Sequence, residues 1–329
     1  MSDDSAALIE VRDLHVWFDL GRGSELHAVQ GIDFQLRPGE RMGLVGESGC
    51  GKTTTILGMM GLLPPSASIA GSVILEGVDI LTRGEESVSP HRWCDMAMIF
   101  QGAMNAFNPV KTVGSQIAEP MELHGTHSGR AARARVRELL ELVGIAGSRA
   151  DRYPHEFSGG MRQRAAIAMS LACEPKVLLA DEPTTALDVM VQAQILELLV
   201  SLTNDLGLAM ILVTHDLPVV AQVCRRAAVM YAGEIVEQGP MLELYHDPKH
   251  PYTRMLFAAT PDLYGEDEVL SIPGAPPRLD RELVGCPFAP RCDRTFDRCA
   301  HEHPHVRAVG ADRLAACHLN DPVTAGAAS

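Results

Sequence analysis

No stretch of this 329-residue chain stays apolar for the roughly 20 residues a bilayer-spanning helix needs. The best candidates, 165–173 and 206–213, are half that length or less and suit buried elements. Positive charge is also scarce. Twenty-eight Lys and Arg stand against 42 Asp and Glu, a formal charge of −14, which argues against a nucleic-acid backbone as the main partner. The opening Met1-Ser2-Asp3-Asp4 is acidic and lacks a signal-peptide pattern, so a cytosolic chain is expected. In that reducing compartment the eight cysteines do not read as a disulfide framework. No internal repeat is visible, and the paired C-x₂-C knuckles of common zinc modules are missing.

What the chain does have is enough apolar material for a sizeable core: 46% hydrophobic residues and a mean hydropathy of +0.04. Its length suits a large domain plus an appendage. Ile9 and Val11, then Ile32, Phe34 and Leu36, alternate with polar neighbours as half-buried strands do. The runs 42–45, 177–180 and 210–213 are short and wholly or largely apolar, as strands of a parallel sheet covered on both faces are. Another strand is expected at 73–75, and a hairpin around Ala232-Gly233. Between 128 and 143 the period becomes helical through Val136, Leu139, Leu140 and Val143, with Gly144 as a stop. Arg130, Arg133, Arg135 and Arg137 lie mostly elsewhere on that helix and read as a solvated face. From about Tyr245 onward proline and histidine become frequent and predict an irregular extension.

Chemistry concentrates after the first apolar run. Gly46-Glu47-Ser48-Gly49-Cys50-Gly51-Lys52-Thr53 fits G-x-x-x-x-G-K-[ST] in full, with Thr54 next. Glycines let amide groups face phosphates, Lys52 reaches the β/γ oxygens and Thr53 can ligate Mg²⁺. The following helix adds its positive end. Cys50 occupies a variable position and reads as a small filler. Asp181 closes an apolar run, which suits an indirect, water-mediated hold on Mg²⁺, and Glu182 could act as general base. His215, after the next apolar run, could contact the γ-phosphate; a strand-end histidine is otherwise structural. The turn Phe157-Ser158-Gly159-Gly160-Met161-Arg162-Gln163, just upstream of the acidic strand, suggests an ATP site finished by a second subunit.

Over residues 9–239 this order of motifs closely resembles the ATP-binding cassette family. The resemblance implies an α/β fold: a P-loop NTPase-type parallel sheet core with an N-terminal antiparallel β subdomain and an inserted helical subdomain at about 102–162. It further implies ATP and Mg²⁺ as cofactors. Phe18, or alternatively Trp17, would stack on adenine. Gln101 would sense Mg²⁺ and water and connect to the membrane subunit through the segment 101–122. Ser158, Gly159 and Gly160 would meet the γ-phosphate held by the opposite subunit, and Asp188 would link the two sites. Met161 departs from the glutamine commonest in that signature. Glu182 and His215 together favour a hydrolysis-competent site.

The tail carries His250-Pro251-Tyr252-Thr253-Arg254, Ile272-Pro273-Gly274-Ala275-Pro276-Pro277 and Gly285-Cys286-Pro287-Phe288-Ala289-Pro290-Arg291-Cys292. With Cys299 and Cys317 it resembles the C-terminal extension of dipeptide/oligopeptide importer ATPases, a branch that includes nickel importers. The domains expected are 1–244, the cassette, and 245–329, the extension. Cys286, Cys292, Cys299 and Cys317, with five, six and seventeen residues between them, can supply four thiolates to a [4Fe–4S] cluster or to zinc. In the resembling branch this set is associated with the [4Fe–4S] cluster. His301, His303, His305 and His318 leave a mixed site open. The resemblance also implies a second homologous ATPase subunit (a heterodimer), two transmembrane permease subunits and an extracytoplasmic substrate-binding protein. The chain would then sit peripherally on the cytoplasmic face of the membrane. A soluble cassette ATPase of DNA repair or translation is the reading from another class; the acidic balance and single cassette argue against it.

Overall fold

The alternating apolar residues at the start of the chain zip two strands together. β1 (Ile9–Gly21) and β2 (Ser24–Leu36) pair antiparallel, with Ile9 opposite Leu36 and Val11 opposite Phe34. Ile9, Val11, Leu14, Ile32, Phe34 and Leu36 are all buried as a result. The structure, a computed structural model, describes residues 6–102, 106–259, 271–281 and 283–322. The apolar β3 (Arg41–Val45) leads through the glycine-rich loop into α1 (Lys52–Met59). β4 (Ala67–Leu75) returns to pair with β1, and β5 (Val78–Asp79) with β4, giving a four-stranded antiparallel sheet of order β2-β1-β4-β5. After the single turn α2 (Glu85–Val88) comes β6 (Met96–Ile99).

A helical insertion follows: α3 (Val113–Leu123), α4 (Gly129–Leu142) and α5 (Gly159–Ser170). Ala132, Val136, Leu139 and Leu140 form the buried stripe of α4, and Gly144, at φ +77°, turns the chain out of it. Arg130, Arg133 and Arg137 are exposed, and Arg135 pairs with Glu138 and Glu174 at 3.1 Å each. The chain then alternates β7 (Val177–Asp181), α6 (Val189–Leu206), β8 (Ala209–Thr214), α7 (Leu217–Val223) and β9 (Arg226–Tyr231). β10 (Glu234–Pro240) closes the expected hairpin with β9 around Ala232-Gly233.

β9, β3, β8, β7 and β6 run parallel in that order. Successive side chains of a strand point to opposite faces, and this sheet sorts them into two cores. Val45, Ile99, Leu178, Ala180, Met210 and Leu212 pack with the helices, whereas Leu44, Met98, Val177, Leu179, Ile211 and Val213 pack with the antiparallel sheet. Among the described residues no helix is long and apolar enough to cross a membrane.

The tail differs from the expected irregular extension. Beyond α8 (Met241–His246), α9 (Pro251–Ala258) and α10 (Asp297–His301), it forms β11 (Arg307–Gly310) and β12 (Arg313–Ala315). β12 pairs antiparallel with β10, so the tail is an edge of the main sheet. Strands this short carry no periodicity to read, which is why the sequence concealed them. The join is anchored by Arg313, whose Nη2 donates to Glu237 Oε1 at 3.1 Å, with side chains 4% and 0% exposed. Glu237 also accepts the amides of Lys249 and His250. Removing the cation from a buried pair strands the carboxylate. Arg313→Met should therefore cost about 3 kcal/mol in urea denaturation; a cost below about 1 kcal/mol, the scale of an exposed pair, would mean that this join does not hold the tail.

Candidate active site

Parallel register decides where chemistry can collect. Val45 lies opposite Thr214, Asp181 opposite Val213 and Ile99 opposite Ala180, so the C-terminal ends of β3, β6, β7 and β8 emerge at one edge. Open α/β sheets bind ligands at such an edge. A cavity of about 760 Å³ lies there, large enough for a nucleotide, lined by Ser48, Gly49, Gly51, Lys52, Thr53, Thr54, Gln101, Glu182 and His215.

Two glycines of the loop after β3, Gly46 and Gly51, are there because nothing larger fits. Gly46 and Gly51 adopt φ +153° and +109°. A Cβ on Gly46 would meet the Met230 carbonyl oxygen at 2.2 Å, and one on Gly51 the Ala28 carbonyl oxygen at 2.6 Å. Lys52 Nζ donates to the carbonyls of Gly46 and Glu47 at 2.7 and 2.9 Å. Its ammonium is thus held over the loop, where phosphate oxygens would replace the carbonyls. Cys50 is buried, and burial pushes its thiol pKa up, as suits a filler.

Behind Lys52, Thr53 Oγ1 donates to Asp181 Oδ1 at 3.1 Å. A hydroxyl beside a carboxylate is the kind of oxygen set Mg²⁺ takes along with phosphates. Asp181 is 1% exposed; burial pushes its pKa up to about 6, and the Thr53 hydrogen bond opposes this. Glu182 sits at φ +42°, a conformation that costs on the order of 1 kcal/mol in a residue with a Cβ. Its carboxylate accepts from His215 Nδ1 at 2.8 Å, Gln101 Nε2 at 2.8 Å and Thr185 Oγ1 at 2.9 Å. Burial works to raise the Glu182 carboxyl, but the His215 and Thr185 hydrogen bonds win and hold it below the usual range. An ionised carboxylate, oriented by three donors at the cavity wall, can take a proton from water.

Phe18 lines this cavity; Trp17 instead stacks on His27, with ring centroids 4.7 Å apart. Ser158, Gly159, Gly160 and Asp188 are not among the lining residues. Ser158 caps α5, its Oγ accepting the Met161 amide at 3.3 Å. The amides of Gly159 and Gly160 fall in the first turn, where a helix offers them no partner of its own. Asp188 caps α6 in the same way, accepting from Val191. Four wall residues, Leu26, Ala28, Pro277 and Leu279, are given no place in the site by the sequence. Pro277 and Leu279 of the tail line the cavity, and the Leu279 carbonyl accepts the His27 amide at 3.1 Å. Tyr252 and Arg291, also of the tail, both reach Glu47 in the phosphate loop.

The geometry of the described residues gives no support to the expected metal centre of the tail. Among the described residues no group of three or more His, Cys, Asp or Glu side chains is arranged to hold a metal ion. Cys286, Cys292, Cys299 and Cys317 are all free. They are nonetheless neighbours: the Cys286 amide donates to the Cys299 carbonyl at 2.8 Å. Burial pushes the Cys286 and Cys317 thiols up to about 11, with Cys299 adding to both. His318 is occupied elsewhere, Nε2 2.8 Å from the Glu302 carbonyl, and His303 faces Glu234 at 2.8 Å. These contacts leave no support for a mixed site with those two histidines.

Residues 29–185 match the family model described as ABC transporter, and residues 236–299 the one described as oligopeptide/dipeptide transporter, C-terminal region. The probable peptide ABC transporter ATP-binding protein y4tR of Sinorhizobium fredii is 46% identical over 322 residues, covering 96% of each chain. The dipeptide transport ATP-binding protein DppD of Bacillus subtilis is 45% identical over 320 residues, covering 95% of each. Of solved structures, dimeric MJ0796 in a post-hydrolysis state with ADP and phosphate aligns at TM-score 0.63 and 26% identity. That match covers 71% of this chain and 98% of the other. The cbiO1 protein of Clostridium perfringens, part of the ABC transporter complex cbiONQ, aligns at 0.61 and 29% identity, covering 73% and 91%.

The raised pKa of Asp181 has a stability consequence with a definite sign. Its protonated form is favoured by folding, so that contribution is complete below the ordinary carboxylate range and is lost as pH rises through about 6. Without divalent cations, Asp181→Asn should stabilise the chain by roughly 2 kcal/mol at pH 8 and by almost nothing near pH 4. Denaturant titrations at the two pH values check this; equal effects at both would refute the buried-charge account.

Proposed function

From the premise that this chain belongs to the ABC transporter family of ATP-binding subunits, in the branch carrying the oligopeptide/dipeptide transporter C-terminal region, we propose that its ATP hydrolysis powers import of di- or oligopeptides. The observation that carries the hydrolytic part is the Glu182 carboxylate, bonded by His215, Gln101 and Thr185 beside the phosphate loop. Phe18 stacks on the base, and Lys52 with the loop amides takes the phosphates. Thr53, Asp181 and Gln101 hold Mg²⁺, which when bound neutralises charge on the phosphates. Glu182 accepts the proton of the attacking water, and His215 keeps that carboxylate oriented.

The half-site gains its remaining donors from a second, homologous cassette. Two features support this: the signature turn at Ser158-Gly159-Gly160 lies outside its own cavity, and Val189 and Met190 beside Asp188 are 78% and 72% exposed. Val110, ahead of α3, and Leu123, its last residue, are 79% and 78% exposed and suit a permease subunit docking at the segment 101–122, of which 103–105 lie outside the described residues. ATP draws the two cassettes together and hydrolysis loosens them, which is a pair of states a permease can read. The chain accordingly acts as a peripheral subunit on the cytoplasmic side, with two permeases and a substrate-binding protein. The cassette unit is 1–244 and the extension 245–329.

For the extension we keep a [4Fe–4S] cluster on Cys286, Cys292, Cys299 and Cys317, in a structural or redox-sensing role. The support is that these four thiols lie close enough to act on one another: Cys299 and Cys317 both press on Cys286, Cys299 on Cys292, and Cys292 and Cys299 on Cys317.

Three measurements bear on this reading. Glu182→Gln should lower steady-state ATPase at least 100-fold while ATP binding stays within about threefold; undiminished turnover would remove Glu182 from the role of base. In the reconstituted transporter, peptide-loaded binding protein should stimulate ATPase, and stimulation by nickel-loaded protein alone would overturn the peptide assignment. Anaerobic purification should yield brown protein with iron and sulfide; colourless, iron-free protein would rule out the cluster.

A further inference from the structure

Glu47, the second residue of the phosphate loop, takes part in three hydrogen bonds with the tail. Its carboxylate takes a two-pronged hydrogen bond from Arg291, Nη1 to Oε2 at 2.6 Å and Nη2 to Oε1 at 2.9 Å. Its amide donates to Tyr252 Oη at 2.9 Å, and the backbone of Leu279 fastens the tail to the cavity rim. Glu47 in turn supplies one of the carbonyls on which the Lys52 ammonium rests. Arg291 is itself immobilised. Its side chain is 4% exposed, Nε donates to the Pro273 carbonyl at 2.8 Å, and Nη1 reaches Tyr231 Oη at 3.3 Å. The guanidinium also lies 5.6 and 5.9 Å from the ring centroids of Tyr231 and Phe288. The tail is also joined to the sheet at a separate place, by β12 and the Arg313–Glu237 pair.

A carboxylate at this loop position is an electrostatic liability beside a triphosphate. We infer that Arg291 is a positioning residue of the nucleotide site: the C-terminal extension neutralises Glu47 and fixes the phosphate loop in the shape that receives ATP. The inference rests on the reading of this loop as the ATP site. Through it the extension acts in cis on nucleotide affinity, apart from whatever its cysteines hold. An Arg is required because its planar fork matches both carboxylate oxygens at once.

The sign of the double variant separates this role from mere scaffolding. In the full-length chain, Arg291→Gln should weaken binding of a fluorescent ATP analogue roughly tenfold, and less so at high salt, because it leaves an unpaired negative charge by the phosphates. Adding Glu47→Gln removes that charge and should bring the dissociation constant back to within about threefold of the unaltered chain. In ATPase assays the change should appear in KM, with kcat within twofold. The proposal is overturned if the double variant binds no better than Arg291→Gln, or if Arg313→Met, which loosens the tail elsewhere, weakens binding as much. Should Arg291→Gln not fold, Arg291→Lys carries the test. Its penalty should be two- to threefold with Glu47 present and vanish in the Glu47→Gln background; equal penalties in both would sink the idea. Absence of ATP binding by the unaltered chain would instead refute the nucleotide-site reading itself.

Discussion

The bond between Thr53 and Asp181 joins residues 128 apart in the chain and is the point on which the site turns. It exists because β3, β8 and β7 are neighbours in strict parallel register, so the end of β3 and the end of β7 arrive at the same height. A slip of one residue in either pairing would reverse which side chains face the helices and which face the antiparallel sheet. The two cores on either side of the sheet forbid such a slip. Packing far from the cavity therefore sets the position of the oxygens inside it.

That rigidity has a local cost at the edge. Asp181 is buried with its charge only partly compensated, and Glu182 is held in a left-handed backbone conformation. Both strains lie within two adjacent residues, while β7 behind them is completely buried and apolar up to Ala180. Stability from the strand sustains an unfavourable arrangement at its tip, which is where an active site keeps its stored energy. His215, Gln101 and Thr185 then fix the Glu182 carboxylate from three sides, so that its orientation does not depend on a bound nucleotide.

The extension changes how the cassette should be pictured. It is the last two strands at one edge of the main sheet, a wall of the cavity through Pro277 and Leu279, and a clamp on Glu47. Tyr231, Tyr252 and Phe288 form one aromatic cluster, with ring centroids 4.6 to 5.3 Å apart, that joins the end of β9 to both halves of the tail. Arg291 stands on this cluster, in the short stretch between Cys286 and Cys292. A boundary near residue 245 thus marks a change in composition, while the fold itself runs continuously across it.

Local order determined a good deal of this protein. The loop Gly46–Thr53, the acidic pair Asp181-Glu182 and the Ser158-Gly159-Gly160 turn are contiguous, so their chemistry can be read wherever they fold; the strands and the helix with clean two-fold or 3.6-fold periods were equally legible. Distance in sequence hid the rest. Nothing in the order of residues says that Phe18 faces the cavity while Trp17 stacks on His27, since adjacent side chains of a strand differ only by the face the sheet assigns them. The three-residue strand β12 has too few positions to show a period, and the pairing of Glu47 with Arg291 spans 244 residues. Such contacts are made only once the parallel register has brought strand ends together and the tail has wrapped back onto them. Motifs are local chemistry that a chain carries in any conformation; the surroundings that hold them in place belong to the tertiary structure alone.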